Sequence, residues 1–96
     1  MLFIVTCVDK PRSLDVRLTN RPAHLAWLEG LGAKLKVGGA MLAGDGQTPI
    51  GSMLIGEGDS EAGVRAILAD DPYALAGLFE SVTLKPWRQG AGQKLL

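Results

Sequence analysis

The chain has 96 residues and a mass of 10.1 kDa, which makes one small domain, because chains divide only when they are much longer. Ten Lys+Arg balance ten Asp+Glu, with a pI near 6.5, and this excludes a broad electrostatic nucleic-acid binder. A hydrophobic share of 47% with 21% charged residues excludes a disordered chain.

A single cysteine, Cys7, excludes an internal disulfide and any zinc-type cysteine spacing, and it fits a reducing cytoplasm. The single histidine, His24, excludes a multi-histidine metal site within one chain, so no metal is expected. The apolar run Leu2 to Val8 lacks a basic leader and is too short for a secretory segment, and nothing reaches transmembrane length. A soluble, unexported protein without membrane contact is the expectation.

Leu2 to Val8 is rich in β-branched and aromatic residues and closes on Asp9-Lys10-Pro11, which predicts a buried strand with Cys7 as a small core hydrophobe beside Phe3 and Val5. Ser13 is placed to cap a helix from Leu14. Thr19 and Asn20 offer a second cap before Arg21-Pro22, so the helix is expected to be broken or kinked and to end near Gly32. Its apolar stripe, Leu14, Leu18, Leu25 and Leu28, should pack on a sheet.

Lys34 to Leu42 reads as a second strand whose Gly38-Gly39 invites a bulge. The turn cluster Gly44 to Pro49 links it to a third strand, Gly51 to Glu57, as a hairpin. Ser60 caps a helix over Glu61 to Ala69, Asp71-Pro72 starts a short helical turn reaching Gly77, and Leu78 to Lys85 is a fourth strand ending at Pro86-Trp87. The order β-α-β-β-α-β predicts an α+β, ferredoxin-like domain over residues 1–96, with residues 88–96 a tail that is either mobile or crosses to another subunit. Both helices then cover one sheet face. The bare face is most simply covered by a second copy stacking sheet on sheet.

His24 is the residue whose ordinary pKa lies near neutrality, and it sits at the edge of the apolar stripe beside Arg17 and Arg21. It reads either as an acid or base at a cleft mouth or as a packed boundary histidine. Asp71 before Pro72 reads equally as a plain helix cap. Arg17 and Arg21 can hold a carboxylate or phenolate, or belong to a solvated face. The glycine segments match no dinucleotide or phosphate-loop spacing, so no cofactor is expected. Trp27 and Trp87 are candidate interface anchors.

Arg21-Pro22-Ala23-His24-Leu25, Asp71-Pro72-Tyr73 and Val82-Thr83-Leu84-Lys85-Pro86-Trp87, together with the opening Leu2-Phe3-Ile4-Val5 and the segment from Asp9-Lys10 to Arg17-Leu18, resemble the YciI-like, YCII-related domain family. The resemblance implies a dimeric α+β barrel of ferredoxin-like subunits, as in muconolactone isomerase-like proteins. It also implies a His-Asp dyad on His24 and Asp71, with Asp71 fixing the imidazole tautomer and His24 moving a proton. Arg17 and Arg21 match the family pattern as holders of an anionic substrate, and Gly38 and Gly39 fall where small residues let substrate approach the sheet. One branch of the family removes chloride from chlorinated hydroxyhydroquinones. The expected function is a small cytoplasmic lyase- or isomerase-type enzyme acting on an aromatic or lactone-like substrate, its alternative a non-catalytic homodimer that binds a small ligand or a protein.

Overall fold

Alternation of large apolar side chains draws Leu2–Asp9 into strand β1, and its Phe3, Val5 and Cys7 are buried on one face. The computed structural model describes residues 1–95. Helix α1 (Leu14–Gly30) follows, then one 3-10 turn (Gly32–Lys34), β2 (Leu35–Leu42), β3 (Pro49–Glu57), α2 (Glu61–Leu68), α3 (Pro72–Leu75) and β4 (Phe79–Trp87). The strands form a four-stranded sheet in the order β2-β3-β1-β4, every neighbouring pair antiparallel. This is the α+β, ferredoxin-like arrangement expected from the order of elements.

The core lies between the helices and one sheet face. Phe3, Val5, Cys7, Leu54, Val64 and Leu84 form it, with Leu28 of α1 and Leu68 of α2 packed against them. The β2–β3 hairpin turns as the glycine cluster predicts: Ala43 N–H donates to the Thr48 carbonyl at 2.8 Å, and Asp45 accepts from the N–H groups of Gln47 and Thr48. Bulges in β2 flank the double glycine, between Leu35 and Val37 and between Met41 and Leu42, rather than falling on it. Pro86 lies inside β4, beyond the expected end, because β4 is an edge strand where a missing N–H breaks no central ladder. In the tail, the Gln89 side chain bonds to Ala91, Gln93 and Leu95, so residues 89–95 curl on themselves; Leu96 lies outside the described residues.

Helix α1 departs from expectation in three respects. It is continuous through Pro22; that residue is exposed, and on this side water can donate to the carbonyl one turn back, for which proline has no N–H to offer. The Ser13 hydroxyl bonds to the Pro11 carbonyl and caps nothing. Most consequentially, Leu14, Leu18 and Leu25 are 40%, 56% and 44% exposed, while Arg17 and His24 are 4% and 6% exposed. At about 100° per residue, Leu28 falls in the same row as Arg17 and His24, whereas the other three leucines lie on the flank. Charge-assisted hydrogen bonds from Arg17 and His24 to partners outside the helix set its rotation, and the leucines follow.

Candidate functional site

The site is built where the C-terminal end of β1 meets α1 and α3. The main chain delivers Asp71 there: Leu78 N–H donates to the Tyr73 carbonyl, Lys10 N–H donates to the Leu78 carbonyl, and Gly77 takes a left-handed φ of +73° that turns the chain out of α3. Asp71 is the cap of α3, as its place before Pro72 predicts, with Oδ1 accepting from Tyr73 N–H at 2.9 Å. The same oxygen lies 2.8 Å from His24 Nδ1, and Asp71 is 2% exposed.

A carboxylate can only accept, so Nδ1 is the donor and the other ring nitrogen of the neutral imidazole carries the lone pair. His24 Nε2 makes no hydrogen bond among the described residues, and none of their buried side-chain nitrogens or oxygens is without a partner. Nε2 therefore reaches the surface. The Tyr73 ring stacks on the imidazole with centroids 3.9 Å apart and planes at 13°, while Trp27 lies 5.9 Å away.

Arg17 belongs to the same cluster. Its Nε and Nη2 donate to the two Asp9 carboxylate oxygens at 2.7 and 3.0 Å, Nη2 also donates to Ser52 Oγ at 2.8 Å, and the guanidinium lies 4.7 Å from the Tyr73 ring centroid. Burial pulls its pKa down, but the hydrogen bond and charge of Asp9, with Tyr73, outweigh that and raise it. Burial raises the Tyr73 phenol, against the opposing charges of Arg17 and Arg21. Arg21 lies one turn beyond Arg17 on α1 and is exposed.

The residues singled out in the sequence thus divide. His24, Asp71 and Arg17 come together with Tyr73, and Arg21 stands at the rim, but Gly38 and Gly39 are not part of the cluster. Gly38 is a packing glycine, since a Cβ there would come within 2.5 Å of Leu54 Cδ2, and Gly39 is open on all sides. Asp9, Ser52 and Tyr73 belong to the cluster without being site candidates from the sequence. Asp9 was legible in principle, because period-two alternation from Phe3 through Cys7 puts it on the buried face.

A cavity of about 750 Å³ lies at the opposite end of β1, lined by Leu2, Trp87, Arg88 and Lys94 among others, and two smaller ones of about 400 and 40 Å³ flank α2; none includes His24 or Asp71. Among the described residues no three His, Cys, Asp or Glu side chains gather as metal ligands, and no helix is long and apolar enough to cross a membrane.

Comparison with known proteins places this geometry. Protein YciI of Escherichia coli O6:H1 is 38% identical over 93% of this chain and 98% of its own length, and an uncharacterized protein of Haemophilus influenzae is 31% identical over the same shares. Among solved structures, the 5-chloro-2-hydroxyhydroquinone dehydrochlorinase of Burkholderia phenoliruptrix, in complex with 2,5-dihydroxybenzoquinone, superposes with a TM-score of 0.88 at 41% identity, covering 94% of this chain and 96% of that one. An antibiotic biosynthesis monooxygenase shares the fold alone, at TM-score 0.53 and 14% identity over 93% of this chain and all of that one. The profile of the YCII-related domain matches residues 1–88, and the chain belongs to that family.

Proposed function

We propose that the protein is a small enzyme that moves a proton on a hydroxylated aromatic or lactone-like substrate, with His24 as base and acid and Asp71 as its orienting partner. The observation that carries this reading is the asymmetric imidazole, anchored to a buried carboxylate through Nδ1 at 2.8 Å with Nε2 at the surface. Nε2 takes a proton from a ring hydroxyl, the Asp71 carboxylate stabilises the imidazolium that forms, and the proton returns to a ring carbon, giving the keto tautomer. Where that carbon bears a halogen, it keeps the proton it has gained, and loss of the proton of a second ring hydroxyl with departure of the halide leaves the quinone and completes the elimination of hydrogen halide. Arg21, exposed on α1 three residues before His24, holds the substrate oxygen as it becomes anionic. Arg17 is already engaged by Asp9 and Ser52, so its charge acts on the site from beneath.

The similarity to a dehydrochlorinase acting on a chlorinated hydroxyhydroquinone supports the substrate class. The reading includes a homodimer through the sheet face away from the helices, supported by the exposure of Val8 and Val37 there, and a cytoplasmic setting, supported by the free, buried Cys7.

The test is chloride release from chlorinated trihydroxybenzenes, run beside isomerisation of a lactone panel. Turnover is expected, with His24→Ala and Asp71→Asn lowering kcat by about 10²–10⁴-fold. Parent-like turnover by His24→Ala removes the dyad from the mechanism. Saturable binding of these compounds without turnover by the parent makes the protein a binding module.

A further inference from the structure

Asp71 fixes one atom of the His24 ring, and one hydrogen bond does not fix a plane. Because Nδ1 lies close to the Cβ–Cγ axis, the ring can still pivot about that bond, a torsion with a broad energy profile, within the tolerance of the hydrogen bond, and each pivot redirects Nε2. We propose that Tyr73 is the positioning residue that removes this freedom, a reading that rests on His24 acting as the base.

Tyr73 reaches both members of the dyad by different means. Its main-chain N–H donates at 2.9 Å to Asp71 Oδ1, the oxygen that also meets His24 Nδ1, so the carboxylate is held in the direction of the histidine. Its ring lies 3.9 Å from the imidazole and within 13° of parallel. The ring is itself immobilised: it is 1% exposed, meets Phe79 edge-on at 6.1 Å, and carries the Arg17 guanidinium 4.7 Å from its centroid. Arg17 is pinned in turn by two hydrogen bonds to Asp9 and one to Ser52.

Arg17 and His24 are separated by about 10 Å along the helix axis, at 1.5 Å per residue. The Tyr73 ring is close to both and so occupies the space between them. A continuous strut results, from Asp9 at the end of β1 through Arg17 and Tyr73 to the imidazole. A residue that only filled this space would need volume, which leucine supplies; holding a plane needs a flat face.

The first readout needs no substrate. Nitrogen-15 spectra of His24, the single histidine of the chain, are expected to show one tautomer in the parent, protonated at Nδ1 and slow to exchange with water. Tyr73→Phe keeps the ring and the main-chain N–H and is expected to keep that signature and the parent's kcat. Tyr73→Leu keeps the N–H but loses the face; the tautomer that Asp71 sets is expected to remain, but its Nδ1 proton to exchange with water faster, with kcat down about 100-fold and KM little changed.

A parent that already averages its two ring nitrogens overturns the proposal without any variant. A folded Tyr73→Leu with the parent's Nδ1 proton exchange and kcat overturns it too, and so does a Tyr73→Phe that loses as much as the leucine variant, because the hydroxyl and not the stack would then be at work. If the parent turns over no compound in the panel, the enzyme reading fails while the spectra still decide what positions His24.

Discussion

The buried row of β1 changes character halfway along. Phe3 and Val5 belong to an apolar cluster with Leu54, Val64 and Leu84. Four residues beyond Val5, Asp9 of the same strand meets Arg17, which also bonds Ser52, and the His24–Asp71 pair lies alongside under the Tyr73 ring. In the first half contacts are interchangeable, and only the volume of a neighbour matters. In the second, side chains meet specific polar partners at fixed distances, and taking one away strands another. The apolar half holds the domain together so that the polar half can be held still.

Arg17→Met is the sharpest way to break that contrast. The substitution keeps an unbranched apolar stem but leaves the Asp9 carboxylate, only 6% exposed, without its ion-pair partner. Losing one member of a buried pair costs about 3–5 kcal/mol, read from urea unfolding of the parent and the variant. Replacing Asp9 by Leu in the same chain should return much of that loss, since the stranded charge goes with it. A loss under about 1 kcal/mol in the single variant would show the pair to be solvated.

Leu54→Ala probes the other half. Leu54 is buried in the apolar cluster and its Cδ2 occupies the space left by Gly38, so truncation opens a cavity and costs about 3 kcal/mol. Adding Gly38→Ala puts a methyl group into that space and should recover part of the loss, whereas in the parent the same methyl would push Leu54 aside. The His24 tautomer should be the same in Leu54→Ala with or without Gly38→Ala. A change in it would mean that the two halves are coupled through the strand rather than separate.

The contrast also explains what the amino-acid sequence discloses. β1, the hairpin and the Asp71-Pro72 cap are local matters of alternation and turn chemistry, and each stands where the sequence predicts. Capping α3 and meeting His24, which read as rival meanings of Asp71, are compatible, since one oxygen accepts from Tyr73 N–H and from His24. The rotation of α1 is different in kind. A helical wheel groups Leu14, Leu18, Leu25 and Leu28, but what turns Arg17 and His24 inward are partners 8 and 47 residues away, and periodicity carries no information about them. Tyr73 entered only as the third residue of a motif because its stacking partners, Arg17 and His24, lie on another element.

Cys7 stands on the border between the halves, and its thiol offers the finest test of where the border runs. Burial, then the negative charges of Asp71 and Asp9, push its pKa from an ordinary 9.0 up to about 12, with Arg17 pulling the other way. The difference, 12 minus 9.0, leaves about 1000-fold less thiolate at pH 8 than an unfolded chain presents. Because the thiolate is the nucleophile, alkylation by iodoacetamide at pH 8 should be slower in the native chain by at least that factor. The native rate should still rise about tenfold per pH unit from 8 to 10, where the denatured chain levels off. Between pH 9 and 12 the folded state holds a proton that the unfolded state has lost, so this contribution to stability is whole below about 9 and declines as pH rises toward 12. Asp71→Asn removes one of the opposing charges and should speed native labelling, while Leu54→Ala, which alters only apolar neighbours, should leave its pH dependence in place. Equal labelling of native and denatured chains at pH 8 would move Cys7 out of the buried row and the border with it.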